Sequence, residues 1–328
     1  MLTRLLVPLS LLFGAVVFAR RALYRCRLLS SIHVGLPVVI VGNITVGGSG
    51  KTPLVLWIAR HLEAAGWRPG IVSRGYGGSA AASGDPPVEV TGESDPMVVG
   101  DEPVLLARGS ECPVWIATDR VAACRALHSH HPECDVLVLD DGLQHYRLAR
   151  DVEIAVVDPR GFGNGHLFPA GPLREPPSRL NEVDAVVCNG LTSVKGYAMR
   201  LEGRALVSLM DANRVVDVAA LGSRRVHAVA GIGEPARFFR HLEALGLEVV
   251  AHSFPDHHPY TSADLQFGDR LPVVMTEKDA VKCQPILAAE SRFWMLPVRA
   301  ELDPAFGEML ERTLLEKLRG KVRGSEAA

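Results

Sequence analysis

Short apolar runs alternate along the first half of the chain with longer stretches whose apolar positions recur at helical spacing. The apolar runs predict strands at 38–45, 69–73, 113–117, 135–140 and 153–158, and the longer stretches predict helices near 52–65, 101–109 and 119–130. This alternation indicates βαβ units and a mostly parallel sheet flanked by helices. The run at 135–140 is apolar on both faces, which is typical of a central parallel strand.

The pattern begins again on a smaller scale after residue 190. A hairpin-like pair at 197–209 precedes an α/β series, with strands predicted in HAVAGI, LEVVAH, LPVVMT and RFWMLPV and helices near 234–245 and 303–322. We therefore expect an N-terminal segment (1–30), a nucleotide-binding domain (31–190), a smaller α/β lobe joined by the hairpin-like linker (191–302), and a C-terminal helix and tail (303–328). Long loops rich in proline and glycine at 74–86 and 160–179 are of the kind that is usually functional or disordered.

The N-terminal segment combines apolar and basic residues. Residues 5–19 form an uncharged run of 15 residues, flanked by Arg4 and by Arg20 and Arg21. A cleaved signal peptide is one alternative, but arginines follow the cleavage-like VFA at once. A membrane span needs about 20 apolar residues, so we expect a helix that lies on or dips into the cytoplasmic face of a membrane, with its arginines on anionic lipid. A buried N-terminal helix is the other alternative.

Composition narrows the function classes. The formal net charge of −2 over 328 residues gives no global nucleic-acid signature. The charge is uneven, because every charged residue before Glu63 is a lysine or an arginine. Six cysteines lie far apart without a C-x-x-C pair, which favours reduced, mostly buried thiols over disulfides or a zinc site.

The segment VVIVGNITVGGSGKTP (38–53) reads as a strand, a glycine-rich loop and the start of a helix. It fits the phosphate-binding pattern G-x-x-x-x-G-K-[ST] except at its first position. Backbone N–H groups would surround the β-phosphate of ATP, Lys51 would reach the β- and γ-phosphate oxygens, and Thr52 would ligate Mg²⁺. The predicted nucleotide-binding residues are Thr45, Val46, Gly47, Gly48, Ser49, Gly50, Lys51 and Thr52.

Such enzymes also place an acidic residue at the end of a neighbouring apolar strand to bind Mg²⁺. Asp140 and Asp141 follow the strand at 135–140 and are predicted in that role. The loop has the spacing of membrane-associated assembly ATPases, but Val46 stands where those proteins carry a lysine. TEKD at 276–279 does not match the guanine-binding pattern N-K-x-D.

Seven segments together resemble the tetraacyldisaccharide 4'-kinases, the lipid A 4'-kinases of Gram-negative bacteria. They are VGNITVGGSGKTP (41–53), SRGYGG (73–78), GDEPVLLAR (100–108), DDGLQH (140–145), GNGHLFPAGPLREP (163–176), FPDHHPY (254–260) and TEKDAVK (276–282). The resemblance implies ATP, Mg²⁺ and transfer of the γ-phosphate to the 4'-hydroxyl of an acylated disaccharide 1-phosphate. It also implies attachment to the cytoplasmic face of the inner membrane.

The resemblance further implies catalytic roles. A sugar hydroxyl is a poor nucleophile, so a base must accept its proton, and the family assigns that task to the aspartate matching Asp101. A histidine of DHH would orient this aspartate, with His257 the first choice and His258 the second. Glu102 is a candidate for the Mg²⁺ sphere. A simple alternative for Asp101 and Glu102 is helix N-capping, and for the two histidines a structural surface pair.

Other polar residues near these motifs carry weaker expectations. Arg120 is expected either to contact phosphate or to be a solvated arginine at a helix start. Arg174 is expected to meet the substrate's 1-phosphate or to lie on the loop surface. The remaining expectations are Arg74 and Tyr76 at the ligand-binding edge of the sheet, His145 near the site, and an internal ion pair for Lys278 and Asp279.

Two other functions remain open on the sequence. One is a P-loop kinase for a small molecule that is not a lipid, and the other is an ATP-switched membrane assembly protein. No nucleic-acid partner and no obligate protein partner are expected.

Overall fold

The computed structural model describes residues 2–81, 85–287 and 290–326. Residues 82–84, within the predicted loop 74–86, and residues 327–328 of the predicted tail lie outside it. The described strands form a nine-stranded first sheet and a six-stranded second sheet.

The α-helices are α1 (Leu2–Arg25), α2 (Lys51–Ala64), α3 (Pro96–Val99), α4 (Asp101–Gly109), α5 (Arg120–His130), α6 (Pro235–Ala244), α7 (Glu277–Cys283) and α8 (Pro304–Glu326). The strands are β1 (Val38–Gly42), β2 (Pro69–Ser73), β3 (Val88–Val90), β4 (Val114–Ile116), β5 (Val136–Leu139), β6 (Val152–Val157), β7 (Ala185–Asn189), β8 (Tyr197–Glu202), β9 (Ala205–Ser208), β10 (Val215–Asp217), β11 (Arg225–Ala230), β12 (Glu248–Ser253), β13 (Val273–Thr276), β14 (Phe293–Leu296) and β15 (Arg299–Leu302).

The first sheet has the order β15-β8-β7-β6-β1-β5-β2-β4-β3. Strand β1 is buried along its whole length and pairs in parallel with β5 and β6. Antiparallel strands β3 and β15 close the two edges. The predicted α/β architecture with a mostly parallel sheet is therefore confirmed. Since β1 lies in the middle, the loop that follows it emerges at the centre of the sheet's carboxyl edge, where such sheets bind ligands.

The second sheet has the order β10-β9-β14-β13-β11-β12, and its four strands β11 to β14 run parallel. Phe238, Phe239 and Leu242 anchor α6 in the apolar core on one face of this sheet. The chain then returns, because α8 packs Phe306 and Leu310 into the core of the first sheet.

The predicted hairpin at 197–209 is wrong. Strands β8 and β9 do not pair with each other: β8 pairs with β7 and β15 in the first sheet, whereas β9 pairs with β10 and β14 in the second. The chain crosses between the sheets at Gly203 and crosses back at Pro297. A Cβ on Gly203 would lie 2.4 Å from the Pro297 carbonyl oxygen, so the two crossings run side by side. Two apolar runs with a short connection give the same sequence pattern in both arrangements.

Helix α1 lies on the outside of the first sheet's lobe. The Ser10 hydroxyl donates to the Leu167 carbonyl at 2.7 Å and accepts from the Ala170 N–H at 2.9 Å, which ties the helix to the loop 160–179. In an 18-residue apolar stretch of Thr3–Arg25, only 6% is buried inside the protein. The alternative of a buried N-terminal helix is therefore wrong. Among the described helices, this is the one that is long and apolar enough to cross a membrane, and the mean hydropathy of that stretch is 1.7.

We expect Gly42→Ala to destabilise the protein. The new Cβ would lie 2.5 Å from Leu143 Cβ and 3.0 Å from the Leu143 backbone nitrogen, so either β1 or the turn after β5 must shift. Overpacking of this kind costs about 1–3 kcal/mol, measurable as a lower midpoint in chemical unfolding. Gly268→Ala is the matched control, because nothing lies within 4 Å of its Cβ position. Equal midpoints for the two variants would contradict the packing described for β1.

Candidate functional site

The loop between β1 and α2, taken together with the first two residues of α2 and here called the phosphate loop (residues 43–52), is held from within by Asn43. This buried side chain donates to Ser49 Oγ at 3.1 Å, and its Nδ2 lies 3.3 Å from Thr45 Oγ1 and 3.4 Å from the Gly47 carbonyl. Gly47 has a φ of 93° and Gly50 a φ of 91°, a region that glycine enters without a steric penalty. Helix α2 begins at Lys51, directly after this turn.

Side-chain donors hold two carbonyls of the phosphate loop. Asn189, at the end of β7, donates from Nδ2 to the Ser49 carbonyl at 2.9 Å. Arg160 donates from Nη2 to the Gly48 carbonyl at 2.8 Å, and Asp158 in turn accepts from Arg160 Nε at 3.0 Å. A loop that binds phosphate through its N–H groups must direct its carbonyls elsewhere, and these contacts supply that constraint.

The proline-rich loop predicted at 160–179 runs alongside the phosphate loop. Val46 donates its N–H to the Pro172 carbonyl at 2.8 Å, and Arg174 donates its N–H to the Ile44 carbonyl at 2.7 Å. Gln144 adds a side-chain link, donating to the Asn43 carbonyl at 3.0 Å and to Glu175 Oε1 at 2.8 Å. The loop is therefore part of the site's wall.

Asp141 joins the two cations of the phosphate site. Its carboxylate lies 3.5 Å from Lys51 Nζ and accepts from Arg174 Nη1 at 3.0 Å. Burial works to raise the pKa of Asp141, but Lys51 and Arg174 outweigh it and lower that pKa. Arg174 thus lies beside Lys51 and is not a free arginine on the loop surface.

Asp140 carries a carboxylate oxygen to which no described residue donates. Its side chain is buried at the end of β5, Ser73 Oγ lies 3.4 Å from Oδ2, and Oδ1 has no hydrogen-bond partner within the described part of the chain. Burial and the nearby Glu102 carboxylate raise the pKa of Asp140 to about 7. An orphaned buried carboxylate oxygen beside Glu102 and Asp141 suits a divalent cation. Among residues 2–81, 85–287 and 290–326, no group of three or more acidic, histidine or cysteine side chains could hold a metal alone, and Mg²⁺ characteristically completes its sphere with water and phosphate oxygens.

Arg120 is buried, so the alternative of a solvated arginine is wrong. It donates from Nη1 to the Ala117 carbonyl at 3.0 Å. Burial and the neighbouring Arg74 lower the pKa of Arg120 to about 10, which leaves it a cation. His145 lies close enough that burial and the Arg120 charge lower its pKa to about 4, so that it is neutral at pH 7. The structure therefore brings Arg120, Arg74 and His145 towards the two aspartates.

The phosphate loop and the charged residues beside it form a first polar centre. A second polar centre, formed around Asp101 and His257, joins the lobes of the two sheets. Asp101 begins α4 and is 4% exposed. Its Oδ2 lies 3.1 Å from Nδ1 of His257. Burial raises the pKa of Asp101, but the His257 hydrogen bond and nearby lysines lower it overall. The same hydrogen bond raises the pKa of His257. Tyr76, predicted at the ligand-binding edge, packs against the His257 ring with centroids 5.2 Å apart.

His258 points elsewhere. Its Nε2 lies 3.4 Å from Asp264 Oδ2, and its ring stacks on Phe254 at a centroid distance of 4.7 Å. Both partners belong to the second sheet's lobe. Of the two histidines, only His257 is placed against Asp101.

The motif TEKDAVK supplies two lysines to this centre. Lys278 Nζ lies 3.2 Å from Glu102 Oε1, 3.1 Å from Asp256 Oδ1 and 3.4 Å from His257 Nε2. Lys282, one helical turn further along α7, lies 3.7 Å from Asp101 Oδ2. The two lysines thus surround the acidic start of α4.

Asp279 of the same motif is fully buried within the second lobe. It accepts from Thr276 Oγ1 at 2.6 Å and from Tyr260 Oη at 3.0 Å, and it lies 3.3 Å from Lys282 Nζ. Lys278 and Asp279 therefore each form an ion pair, but not with each other.

The two polar centres lie close together where the two lobes meet, a region here called the cleft, because Glu102, next to Asp101, is near enough to Asp140 to raise its pKa. A Cβ on Gly233, in the loop after β11, would lie 3.1 Å from the Gly48 backbone nitrogen and 3.8 Å from Asp256 Oδ2. The second sheet therefore reaches the phosphate loop at the point where it also presents His257 to Asp101. This arrangement places a phosphate-binding loop, a cluster of cations and an Asp–His pair around a common space.

Several residues that shape this cleft were not predicted from the sequence. They are Asn43, Gln144, Arg160, Glu175, Asn189 and Lys282. Four of them, Asn43, Gln144, Glu175 and Lys282, lie inside the segments that carry the family resemblance but were given no role. Asn43 and Asn189 had a further signal, because each is a polar residue at the end of an apolar strand, at the edge where α/β sheets bind ligands. Arg160 and Asn189 lie outside those segments, and only the folded chain brings all six residues together.

The chain is similar to one family of known proteins. A family model described as tetraacyldisaccharide-1-P 4'-kinase matches residues 2–315. The tetraacyldisaccharide 4'-kinase of Azoarcus sp. is 52% identical over 94% of this chain and 91% of its own length. That of Aromatoleum aromaticum is 51% identical over 96% and 93%. A crystal structure of LpxK from Aquifex aeolicus in complex with ATP matches with a TM-score of 0.79 and 29% identity, covering 96% of this chain and all of its own.

Proposed function

The chain belongs to the tetraacyldisaccharide-1-P 4'-kinase family, and from this membership we propose which of its residues carry out the phosphoryl transfer and how it meets its lipid substrate. It is an ATP-dependent kinase of lipid A biosynthesis, which phosphorylates the 4'-hydroxyl of a tetraacyldisaccharide 1-phosphate. The observation that supports the assignment of roles is the Asp101–His257 hydrogen bond of 3.1 Å, formed between the two lobes in the cleft of the phosphate loop.

Asp101 is the proposed base for the sugar hydroxyl. It is ionised, because His257 and the two lysines stabilise its carboxylate, and its Oδ1 is fixed by the Glu102 N–H at 2.9 Å. His257 holds the other oxygen and so sets the direction in which the carboxylate faces the cleft. The 4'-hydroxyl proton passes to this carboxylate as the oxygen attacks the γ-phosphorus of ATP, the bond between that phosphorus and the β,γ-bridging oxygen breaks, and ADP leaves.

The cations of the phosphate site are the proposed charge-stabilising groups. In phosphoryl transfer, catalysis is mainly positioning and neutralisation of charge on the phosphate oxygens. Lys51 lies 12% exposed in the cleft, with Arg174 and the buried Arg120 on the same side. Thr52, Asp140 and Glu102 would hold Mg²⁺, with Asp141 orienting Lys51, and the metal would neutralise charge on the β- and γ-phosphates.

We place the membrane contact on helix α1. Its outer face exposes large apolar side chains, including Leu5, Leu11 and Phe18 at 70%, 71% and 74% exposure. Two of the arginines expected on lipid have protein partners, because Arg21 pairs with Glu175 and Glu182, and Arg25 with Glu182. Most of the attraction to an anionic surface therefore comes from three exposed arginines, Arg4, Arg20 and Arg27.

This surface suits a lipid substrate. Moving acyl chains into water costs about 0.8 kcal/mol for each methylene, so an enzyme that works on the headgroup must come to the bilayer. An apolar face with flanking arginines binds such an interface. The enzyme would then act at the cytoplasmic face of the inner membrane.

The function is tested by ATP consumption with and without an acylated disaccharide 1-phosphate. A kinase consumes ATP at a significant rate only when the acceptor is present, and one phosphate appears on the acceptor for each ATP used. An assembly ATPase would turn over ATP alone, and a kinase for a soluble metabolite would ignore the lipid acceptor. Either of those results would exclude the assigned function.

We expect Lys51→Ala to lower kcat by about 10²–10³-fold or more, because the γ-phosphate loses its main positive contact. Thr52→Ala is expected to be milder and to be partly rescued by high Mg²⁺. Steady-state kinetics at several Mg²⁺ concentrations measure both effects. A Lys51→Ala enzyme with near-normal kcat would contradict the assignment of the phosphate loop.

Asp101→Asn should lower kcat by roughly 10²–10⁴-fold with little change in ATP affinity, the usual range for loss of a general base. If His257 acts by orienting Asp101, adding His257→Gln to Asp101→Asn will cost little more than Asp101→Asn alone. The matched control is His258→Gln, whose effect should multiply with that of Asp101→Asn. Loss of ATP binding in Asp101→Asn would instead move this residue into the nucleotide site.

Replacing Leu5, Leu11 and Phe18 by serine should release the enzyme from vesicles that contain anionic lipid. These side chains are 70% or more exposed, and Leu11 and Phe18 also line the groove beside Ser10 and Leu167. An unfolding midpoint equal to that of the unmodified protein will check that α1 keeps its packing on the loop. Activity should fall more on substrate in bilayers than on substrate in detergent. Leu191→Ser, at a position 94% exposed outside α1, is the control. Full sedimentation of the triple variant with vesicles would show that α1 is not the docking surface.

A further inference from the structure

A polar relay, buried at Asn189 and half-buried at Arg237, joins the second sheet to the phosphate loop. Arg237, on α6, donates from Nη2 to Oδ1 of Asn189 at 2.7 Å. Asn189 donates from Nδ2 to the Ser49 carbonyl at 2.9 Å and has no exposed surface. We propose that Arg237 is a positioning residue for ATP binding: it fixes the orientation of the Asn189 amide, which in turn holds the Ser49 peptide in its phosphate-binding orientation.

The chemistry of the three groups makes the relay directional. A guanidinium has only hydrogen-bond donors, so only the amide oxygen of Asn189 can face it. This forces the NH₂ group towards Ser49, where a carbonyl oxygen needs a donor. The Ser49 carbonyl accepts only a donor and therefore selects the same orientation. Without Arg237, the amide oxygen loses its donor and the amide is held from one side only. Arg237 therefore restrains the amide in the orientation in which its NH₂ group meets the phosphate loop.

The position of the amide matters because it lies close to the phosphate loop. A Cβ on Gly50 would lie 2.3 Å from Asn189 Nδ2, and Gly50 directly precedes Lys51 at the start of α2. Turning the Ser49 peptide would move its carbonyl towards the phosphate pocket, where N–H groups are required. A change in the amide is thus passed to the residues that bind the β-phosphate.

The second sheet determines where the guanidinium lies. Helix α6 is anchored by Phe238 and Phe239 in that sheet's core, and the loop before it reaches Gly48 through Gly233. ATP affinity therefore depends on how the second sheet sits against the first. This inference needs only ATP binding to the phosphate loop and not the roles proposed for Asp101, His257 or α1.

The test measures the equilibrium binding of Mg²⁺–ATP without acceptor, together with steady-state kinetics on the full chain. Arg237→Met keeps the apolar stem and removes the donors, and we expect the Kd and KM for ATP to rise about 5–10-fold. This is about 1–1.4 kcal/mol, a part of what one hydrogen bond to a charged group contributes. The kcat at saturating ATP and the KM for the acceptor should stay within about twofold. Arg240→Met is the matched control, since Arg240 is exposed on the same helix and pairs with Glu234; its ATP Kd should not change.

Two further variants separate the relay from a general loss of packing. Asn189→Asp still accepts from Arg237 but presents an oxygen to Ser49, so its ATP Kd should rise more than that of Arg237→Met at a similar Tm. In an Asn189→Ala background, Arg237→Met should have no further effect on the Kd. An unchanged Kd in Arg237→Met, a fall in kcat or Tm without a change in Kd, or additive effects in the double variant would each overturn the proposal. Because ATP binding is measured without acceptor, a failure of the Asp101 assignment would leave these results unchanged.

Discussion

The hydrogen bond between Asp101 and His257 is the contact on which the site depends, because its two residues come from different lobes. They are 156 positions apart in the chain, and each is held in place by residues of its own lobe. Asp101 begins a helix packed on the first sheet, and His257 lies in a loop of the second. A distance of 3.1 Å between them therefore requires the two sheets to be fixed relative to each other. The paired chain crossings at Gly203 and Pro297 and the return of α8 to the first sheet supply that constraint.

Charge balance in the cleft follows from the same packing. The cleft brings together carboxylates that burial alone would neutralise, as the raised pKa of Asp140 shows. Asp141 stays ionised because Lys51 and Arg174 lie beside it, and Asp101 because His257, Lys278 and Lys282 do. Every cation in these pairs belongs to a different structural element from its carboxylate. Electrostatics and tertiary structure therefore support each other here: the ion pairs of Asp141 lie within the first sheet's lobe, and those of Asp101 join the two lobes.

The local parts of this arrangement could be predicted from the sequence, and the non-local parts could not. The phosphate loop follows from a contiguous pattern, and the predicted strand 69–73 and helix 101–109 coincide with β2 and α4. The split of β8 and β9 between two sheets could not be predicted, since their apolar alternation is the same in a hairpin. The burial of Arg120 was missed for a related reason, because its environment comes from residues distant in sequence. The choice of His257 over its neighbour also depends on tertiary structure, since the two rings point to different lobes.

Two hydrogen bonds of Ser10 link α1 to the loop at Leu167 and Ala170, and this link has a mechanical consequence. Ser10 lies about 12 Å along the helix from Leu2, at 1.5 Å per residue, and its hydroxyl fixes the loop that also carries Arg174 to the phosphate site. If α1 sits in lipid as proposed, the depth of the helix would set the height of the cleft above the bilayer. The helix would then fix this height as well as attach the enzyme to the membrane. A fixed height would admit the headgroup at the membrane surface, whatever the length of the chains that remain below it.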